Sequence, residues 1–188
     1  MLKKELRSIY KKKRADLSLN EIQLLSSKTE TVLLELLDKL NFNSVNCFLS
    51  SNSKKEVHTA LIIKKILKQG KAVSVPVSNY ENHSIQAVSF NTGTLTTEDK
   101  FGIPTPKTID LIDSKLIDIV IVPLLCFDEK GYRCGYGKGM YDRFLSNCKP
   151  DIITIGLSFF DSIPEISDID KFDVPMNFVV TPEKAINF

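Results

Sequence analysis

The chain has 188 residues, 43% of them hydrophobic, and a formal net charge of +2. This length suits one well-filled hydrophobic core, and we predict a single domain over residues 1–188. No 18 apolar residues run together and the N-terminus lacks an apolar segment, so we expect neither a transmembrane helix nor a secretion signal, and we expect a soluble cytoplasmic protein.

Two amphipathic helices are predicted at the N-terminus, over residues 2–16 and 20–40. Residues 1–14 contain seven lysines and arginines and one glutamate, a local charge of +6, so the rest of the chain carries −4. Such a basic arm suits either nucleic acid or the phosphates of a small polyphosphate, and composition does not choose between them. The second helix follows the capping-box pair Ser18 and Glu21 and is predicted to be structural.

The rest of the chain alternates apolar runs, several of them continuous enough for buried parallel strands, with helical patterns. The predicted strands are 45–50, 72–77, 84–90, 117–123, 152–158 and 177–181. Helices are predicted at 57–69 and 139–148. This alternation predicts an α/β fold with a mostly parallel open sheet flanked by helices, in which ligands bind beyond the carboxyl ends of the strands. Residues 91–107 are predicted to be the longest irregular stretch, placed to cover a site.

A glycine-rich segment, R-C-G-Y-G-K-G-M-Y-D at residues 133–142, follows one of these strands. It is neither a Walker A loop nor a dinucleotide fingerprint, because its glycines alternate and neither G-K-[ST] nor G-x-G-x-x-G occurs. Alternating glycines allow close backbone approach and an anion-binding nest, whereas the competing interpretation is a mobile turn. Asp142, in the first turn of the following helix, suits either helix capping or Mg²⁺ binding.

Residues 122–145, V-P-L-L-C-F-D-E-K-G-Y-R-C-G-Y-G-K-G-M-Y-D-R-F-L, closely resemble the signature of the 5-formyltetrahydrofolate cyclo-ligase family, also called 5,10-methenyltetrahydrofolate synthetase. Four more segments resemble the family in its order: K-K-E-L-R at 3–7, E-V-H-T at 56–59, F-G-I-P-T-P at 101–106 and F-D-V-P-M-N-F-V-V-T at 172–181. The resemblance implies a single Rossmann-like domain that converts 5-formyltetrahydrofolate and MgATP into 5,10-methenyltetrahydrofolate, ADP and phosphate. The formyl oxygen would attack the γ-phosphate, after which N10 closes the ring and phosphate departs.

The resemblance also implies which residues form the site. ATP would be bound by Lys3, Lys4, Arg7, Arg133, Gly135, Tyr136, Gly137, Lys138, Gly139 and Tyr141, with Lys138 and Arg133 as the catalytic cations. Folate would be bound by Leu49, Glu56, Tyr136 and Met140, and Mg²⁺ by Asp142 and Asp173. Taken alone, Lys3 and Arg7 would be a solvated basic stripe, and Asp173 a turn residue. Leu49 alone would be a core residue and Glu56 an exposed helix-start residue. Lys11 to Arg14 are predicted to be solvated surface.

Three positions depart from the family pattern without removing a phosphate or metal contact. Met140 stands where tyrosine is usual, Thr105 where glutamate is common, and His58 where aspartate is frequent. We expect no catalytic role for His58 or His83 and no zinc site. The cysteines form no C-x-x-C pair and are too sparse for a disulfide framework, so we expect reduced thiols. They are Cys47, Cys126, Cys134 and Cys148.

The partners expected from this resemblance are the small-molecule substrates alone, with no nucleic acid and no membrane, for a monomeric protein. A catalytically silent relative that binds folate or nucleotide is the main alternative. An RNA-binding protein with a basic arm is the second, and the lack of an RNP-type aromatic motif weakens it.

Overall fold

The computed structural model describes residues 1–188 and contains four α-helices and twelve strands. The helices are α1 (Lys3–Ala15), α2 (Leu19–Leu37), α3 (Ala60–Lys68) and α4 (Met140–Ser146). The strands are β1 (Ser44–Cys47), β2 (Ala72–Asn79), β3 (Ser84–Phe90), β4 (Thr96–Glu98), β5 (Pro104–Pro106), β6 (Leu111–Ile112), β7 (Ile119–Pro123), β8 (Cys126–Phe127), β9 (Arg133–Cys134), β10 (Ile153–Leu157), β11 (Phe178–Val180) and β12 (Ala185–Asn187). A short 3-10 helix spans Ser114–Leu116.

Eight strands form one sheet in the order β12-β11-β10-β7-β1-β2-β3-β6. The five central strands, from β11 to β2, run parallel, whereas β3, β6 and β12 are antiparallel to their neighbours. The predicted mostly parallel α/β fold is therefore confirmed. The antiparallel strands lie at the two edges of the sheet, outside the continuous apolar strands at its centre.

Side chains of β7 show why this strand is apolar at every buried position. Ile119 and Ile121 pack with residues of α2 and α3 on one face of the sheet. Val120 and Val122 point to the other face and pack with Phe144 of α4. Because both faces of the strand are covered, a run without polar alternation is the stable choice.

The N-terminal helical pair is present, and its two helices have different positions. In α2, the predicted capping box forms, with Glu21 donating its backbone N–H to Ser18 Oγ at 3.2 Å. In α1, Leu6 and Tyr10 pack instead against the antiparallel pair of β8 and β9. This packing brings the basic helix to the glycine-rich segment, whose first two residues form β9.

Several predicted boundaries were wrong. The strand predicted at 45–50 ends at Cys47, and the helix predicted at 57–69 begins at Ala60. Residues 91–107 were predicted to be irregular, but they contain β4 and β5, which pair with each other. Strands of three residues are too short to display a period, and prolines at both ends of β5 argue against a strand.

All four cysteines are free thiols, and three of them are buried. No helix is both long enough and apolar enough to span a bilayer.

Candidate active site

A cavity of about 280 Å³ lies beside the carboxyl ends of β1 and β7. Phe48 and Leu49, which directly follow β1, and Pro123, the last residue of β7, contribute to its wall. Ile85 and Ile103 add further apolar surface. The cavity is therefore at the position where open α/β sheets bind ligands.

This cavity collects nearly all of the site residues predicted from the sequence. They are Lys3, Arg7, Leu49, Glu56, Arg133, Gly135, Tyr136, Gly137, Lys138, Gly139, Met140, Tyr141, Asp142 and Asp173. Lys4 is the exception, because it is exposed on α1 and does not line the cavity. Residues separated by as many as 170 positions, such as Lys3 and Asp173, meet here.

The glycine-rich segment packs directly on α1. Arg7 donates from Nε to the carbonyl of Gly135 at 3.0 Å, and Gly137 has a φ of +93°. A Cβ on Gly137 would lie 3.0 Å from both Cζ and Nε of Arg7. The positive φ favours glycine there, a Cβ would have to displace Arg7 slightly, and the contact holds a cation against the loop.

Lys138 and Arg133 differ in their surroundings. The Lys138 side chain is exposed, whereas Arg133 is only 9% exposed. Arg133 donates to Asp142 Oδ1 at 2.7 Å and to the carbonyl of Val174 at 2.5 Å. The Arg133 guanidinium orients Asp142, while the Lys138 ammonium makes no ion pair.

The two predicted metal ligands are each held by a cation. Asp142 Oδ1 accepts from Arg133 and from the backbone N–H of Val174 at 3.2 Å, not from α4, so helix capping does not explain it. Asp173 Oδ2 accepts from Lys3 and from the backbone N–H of Asp170 at 2.6 Å. On each carboxylate, the second oxygen has no protein hydrogen bond.

These carboxylates fit magnesium rather than a metal enclosed by protein. No group of three or more histidine, cysteine, aspartate or glutamate side chains in residues 1–188 could hold a metal ion by itself. Mg²⁺ is commonly bound by one or two carboxylates, substrate phosphates and water. Asp142 and Asp173 supply oxygen donors of that kind beside the same cavity.

A buried hydrogen-bond network lies next to the apolar wall. The hydroxyl of Tyr136 donates to Glu56 Oε1 at 2.7 Å, and the backbone N–H of Ser51 donates to Oε2 at 2.9 Å. Glu56 is 6% exposed, so the interpretation as an exposed helix-start residue is wrong. Burial and then the Glu56 charge raise the pKa of Tyr136, against the opposing charge of Arg14, so this hydroxyl stays protonated.

The prediction that Arg14 belongs to the solvated surface is wrong. Arg14 is 3% exposed, and its Nη1 donates to the Tyr136 hydroxyl at 3.1 Å. Its Nη2 donates to the carbonyl of Leu124 at 2.5 Å. A signal for its burial exists, because Leu6, Tyr10 and Arg14 are spaced four apart and share one face of α1.

Two further cavity residues were missed by sequence reasoning. Lys54 places its Nζ 4.7 Å from the centroid of the Tyr136 ring. Tyr80 donates its hydroxyl to Asp99 Oδ2 at 2.5 Å, and burial followed by this hydrogen bond raises the pKa of Tyr80 to about 12. Neither residue belongs to a local motif, so only the folded arrangement connects them to the cavity.

Comparison with known proteins places this cavity in a family context. Residues 1–182 match the model of the 5-formyltetrahydrofolate cyclo-ligase family. The chain is 28% identical to the 5-formyltetrahydrofolate cyclo-ligase of Haemophilus influenzae, over 93% of this chain and 94% of that protein. It is 26% identical to the Escherichia coli K12 protein of the same name, over 94% and 98% of the two chains. The NMR structure of Aquifex aeolicus 5,10-methenyltetrahydrofolate synthetase superimposes with a TM-score of 0.82 and 29% identity, covering 100% of this chain and 93% of that one.

Proposed function

Because the chain belongs to the 5-formyltetrahydrofolate cyclo-ligase family, we propose that it cyclises 5-formyltetrahydrofolate to 5,10-methenyltetrahydrofolate with ATP and Mg²⁺. ADP and phosphate are the other products. The observation that carries this proposal is a single cavity lined by two sets of groups, which we call its two halves. The first half comprises cations, a glycine-rich backbone and two carboxylates, and the second comprises apolar side chains and a buried glutamate.

The first half suits the triphosphate of ATP. Lys3, Arg7 and Lys138 bring positive charge from α1 and from the glycine-rich segment to one wall of the cavity. In phosphoryl transfer, positioning and charge neutralisation contribute most of the rate, so a strong general base is not needed. Asp142 and Asp173 would hold Mg²⁺, which neutralises phosphate charge when bound.

The family resemblance implies a reaction in two steps, which these groups would serve. The formyl oxygen of the folate attacks the γ-phosphorus, the bond from the γ-phosphorus to the β,γ-bridging oxygen breaks, and ADP leaves with an imidate phosphate formed. N10 then attacks the formyl carbon, the carbon–oxygen bond breaks, and phosphate departs as the ring closes, taking up the proton that N10 loses. Lys138 is the exposed cation placed to follow the transferring phosphoryl group, while Arg133 keeps Asp142 oriented.

The second half suits the pterin. A carboxylate accepts hydrogen bonds from N–H donors strongly, and Glu56 is the buried carboxylate on this side of the cavity. Leu49 and Met140 offer apolar surface to the ring. Met140 supplies this surface without the phenol hydroxyl that a tyrosine would add.

The test is direct. Protein incubated with 5-formyltetrahydrofolate, ATP and Mg²⁺ should develop methenyl absorbance, and a matched tube with excess chelator should not. Folded protein that binds folate but forms no product in either tube would support a silent binding relative instead.

Two variants distinguish a specific role of a cavity cation in ATP use from a general effect of positive surface charge. Lys138→Ala should raise the KM for ATP or lower kcat, whereas Lys12→Ala, which removes an exposed cation on α1 away from the cavity, should do neither. Equal losses from both variants would show that the cavity cation has no special role. Steep salt-dependent RNA binding that Asp142→Asn leaves unchanged would favour the RNA-binding alternative.

We propose a monomeric enzyme that acts on small molecules without a nucleic-acid or membrane partner. Light scattering of the purified protein tests the monomer. The cytoplasmic location stays a prediction, which fractionation of the source cells would test.

A further inference from the structure

Arg14 is a buried cation that does not line the cavity but contacts a residue that does. It lies in the last turn of α1, two turns beyond Arg7, and its guanidinium reaches Tyr136 and the carbonyl of Leu124. We propose that Arg14 is a positioning residue for folate recognition, fixing the Tyr136 hydroxyl so that its proton is donated to Glu56. This inference rests on the proposed function, because it assigns a role to Arg14 in the folate half of that site.

Hydrogen-bond polarity gives the first reason. A guanidinium group can only donate, and a tyrosine hydroxyl has a single proton. The Tyr136 oxygen that accepts from Arg14 at 3.1 Å therefore directs its own proton to Glu56 Oε1, 2.7 Å away. Without Arg14, the bond to Glu56 is the one hydrogen bond of that hydroxyl in the network, and no donor holds its oxygen from the other side.

The orientation of Glu56 gives the second reason. Its Oε1 accepts from Tyr136 and its Oε2 from the backbone N–H of Ser51, so both oxygens are fixed from the protein side. An ionised carboxylate has about four lone-pair sites, which leaves acceptor capacity for the N–H donors of a ligand. A fixed carboxylate with remaining acceptor sites is what recognition of a planar pterin requires.

Buried charge gives the third reason. Glu56 and Arg14 are 6% and 3% exposed, and the Tyr136 hydroxyl links them. A buried carboxylate is costly unless a nearby cation and hydrogen bonds offset the loss of hydration. Arg14 Nε is also buried without a hydrogen-bond partner, so the guanidinium sits there at some cost in stability. The hydrogen bonds from its two Nη atoms, to Tyr136 and to Leu124, offset part of that cost.

The test measures steady-state kinetics of the full-length protein with each substrate varied in turn. The variants are Arg14→Met, Arg14→Lys, Tyr136→Phe and the double variant Arg14→Met with Tyr136→Phe. Lys12→Met is the matched control, because it removes an exposed cation two residues away on α1. Thermal unfolding is measured for every variant.

Arg14→Met is expected to raise the KM for 5-formyltetrahydrofolate about tenfold or more, as loss of a charge-assisted hydrogen bond does. The KM for ATP should change by less than about twofold, because a contact that serves only folate binding does not alter the binding of ATP. Arg14→Lys should restore part of the folate affinity, because an ammonium keeps the charge and one donor. In the Tyr136→Phe background, Arg14→Met should cause no further rise, because the two residues act as one unit.

Two results would overturn the inference. One is an equal rise in both KM values together with a lower melting temperature, which would indicate a purely structural residue. The other is the full effect of Arg14→Met in the Tyr136→Phe background, which would show that Arg14 does not act through Tyr136. If Arg14→Met does not fold, Arg14→Lys and Tyr136→Phe decide, and an unchanged folate KM in both overturns the inference.

Failure of the proposed function is a separate outcome. It would appear as wild-type protein without turnover, and calorimetric titration of wild type and Arg14→Lys with 5-formyltetrahydrofolate would then test the role of Arg14 in binding. Equal affinities of wild type and Arg14→Lys for 5-formyltetrahydrofolate would overturn the proposed role of Arg14.

Discussion

Replacing Gly137 by alanine tests whether the glycine-rich segment has one required conformation. Its φ of +93° lies in a region that residues with a Cβ rarely adopt. The new Cβ would also lie 3.0 Å from Cζ and Nε of Arg7, so the guanidinium must shift by a few tenths of an ångström. That shift weakens the 3.0 Å hydrogen bond from Arg7 to the carbonyl of Gly135.

Gly137→Ala is expected to change two quantities, the melting temperature and the KM for ATP. A left-handed backbone conformation costs an L-residue roughly 1–2 kcal/mol. For a chain of this size each kcal/mol lowers the melting temperature by about 2–4 °C, so Gly137→Ala should melt about 2–8 °C lower than wild type. If the displaced Arg7 also loses one charged hydrogen bond to the nucleotide, about 1.5 kcal/mol, the KM for ATP rises roughly tenfold.

Differential scanning fluorimetry measures the melting temperature, and steady-state kinetics with varied ATP measures the KM. Gly135→Ala is the matched stability control, because its φ lies outside the left-handed region and no heavy atom lies within 4 Å of its added Cβ. Gly135→Ala should melt at the wild-type temperature or slightly above it, since alanine restricts the unfolded chain. Equal melting temperatures for the Gly137 variant and wild type, or an equal loss from both variants, would refute this reasoning.

Three other outcomes are expected. Glu56→Gln should raise the KM for 5-formyltetrahydrofolate about tenfold or more while leaving the KM for ATP within about twofold, and an equal rise in both would contradict the division of the cavity. Asp142→Asn should raise the Mg²⁺ concentration for half-maximal activity about tenfold or more, and an unchanged Mg²⁺ titration would remove Asp142 from the metal site. Burial alone would raise the pKa of Asp118, but hydrogen bonds, foremost from Lys149 and also from Ser44, lower it to about 2. Since the unfolded value is about 3.9, the stability that this carboxylate contributes is present above about pH 4 and is lost as pH falls toward 2. The stability gap between wild type and Asp118→Asn in urea unfolding should shrink over that window, and a constant gap would count against the contribution.

The sheet shows which parts of the fold a sequence can reveal. A continuous apolar run identified β7, because a strand covered on both faces favours apolar side chains at every position. The pair of β4 and β5 and the pair of β8 and β9 were missed. Strands of two or three residues have no measurable period, and tertiary contacts determine their pairing.

Only part of the candidate site comes from one continuous segment of the sequence. The segment from Arg133 to Asp142 carries its own signal in one stretch of chain, and the family resemblance added Lys3, Glu56 and Asp173. The structure brings these segments into one cavity, but the binding role of each residue stays a prediction.

The sequence by itself determined the helices and central strands, through hydrophobic periodicity, and the chemistry available in the glycine-rich segment. Only the tertiary structure decided which groups Arg14 contacts and that Lys4 lies outside the cavity. Both are cations on α1, with the same charge and similar local helix propensity. Their difference depends on which face of α1 meets Leu124 and Tyr136, residues more than 100 positions away, and no local pattern encodes that contact.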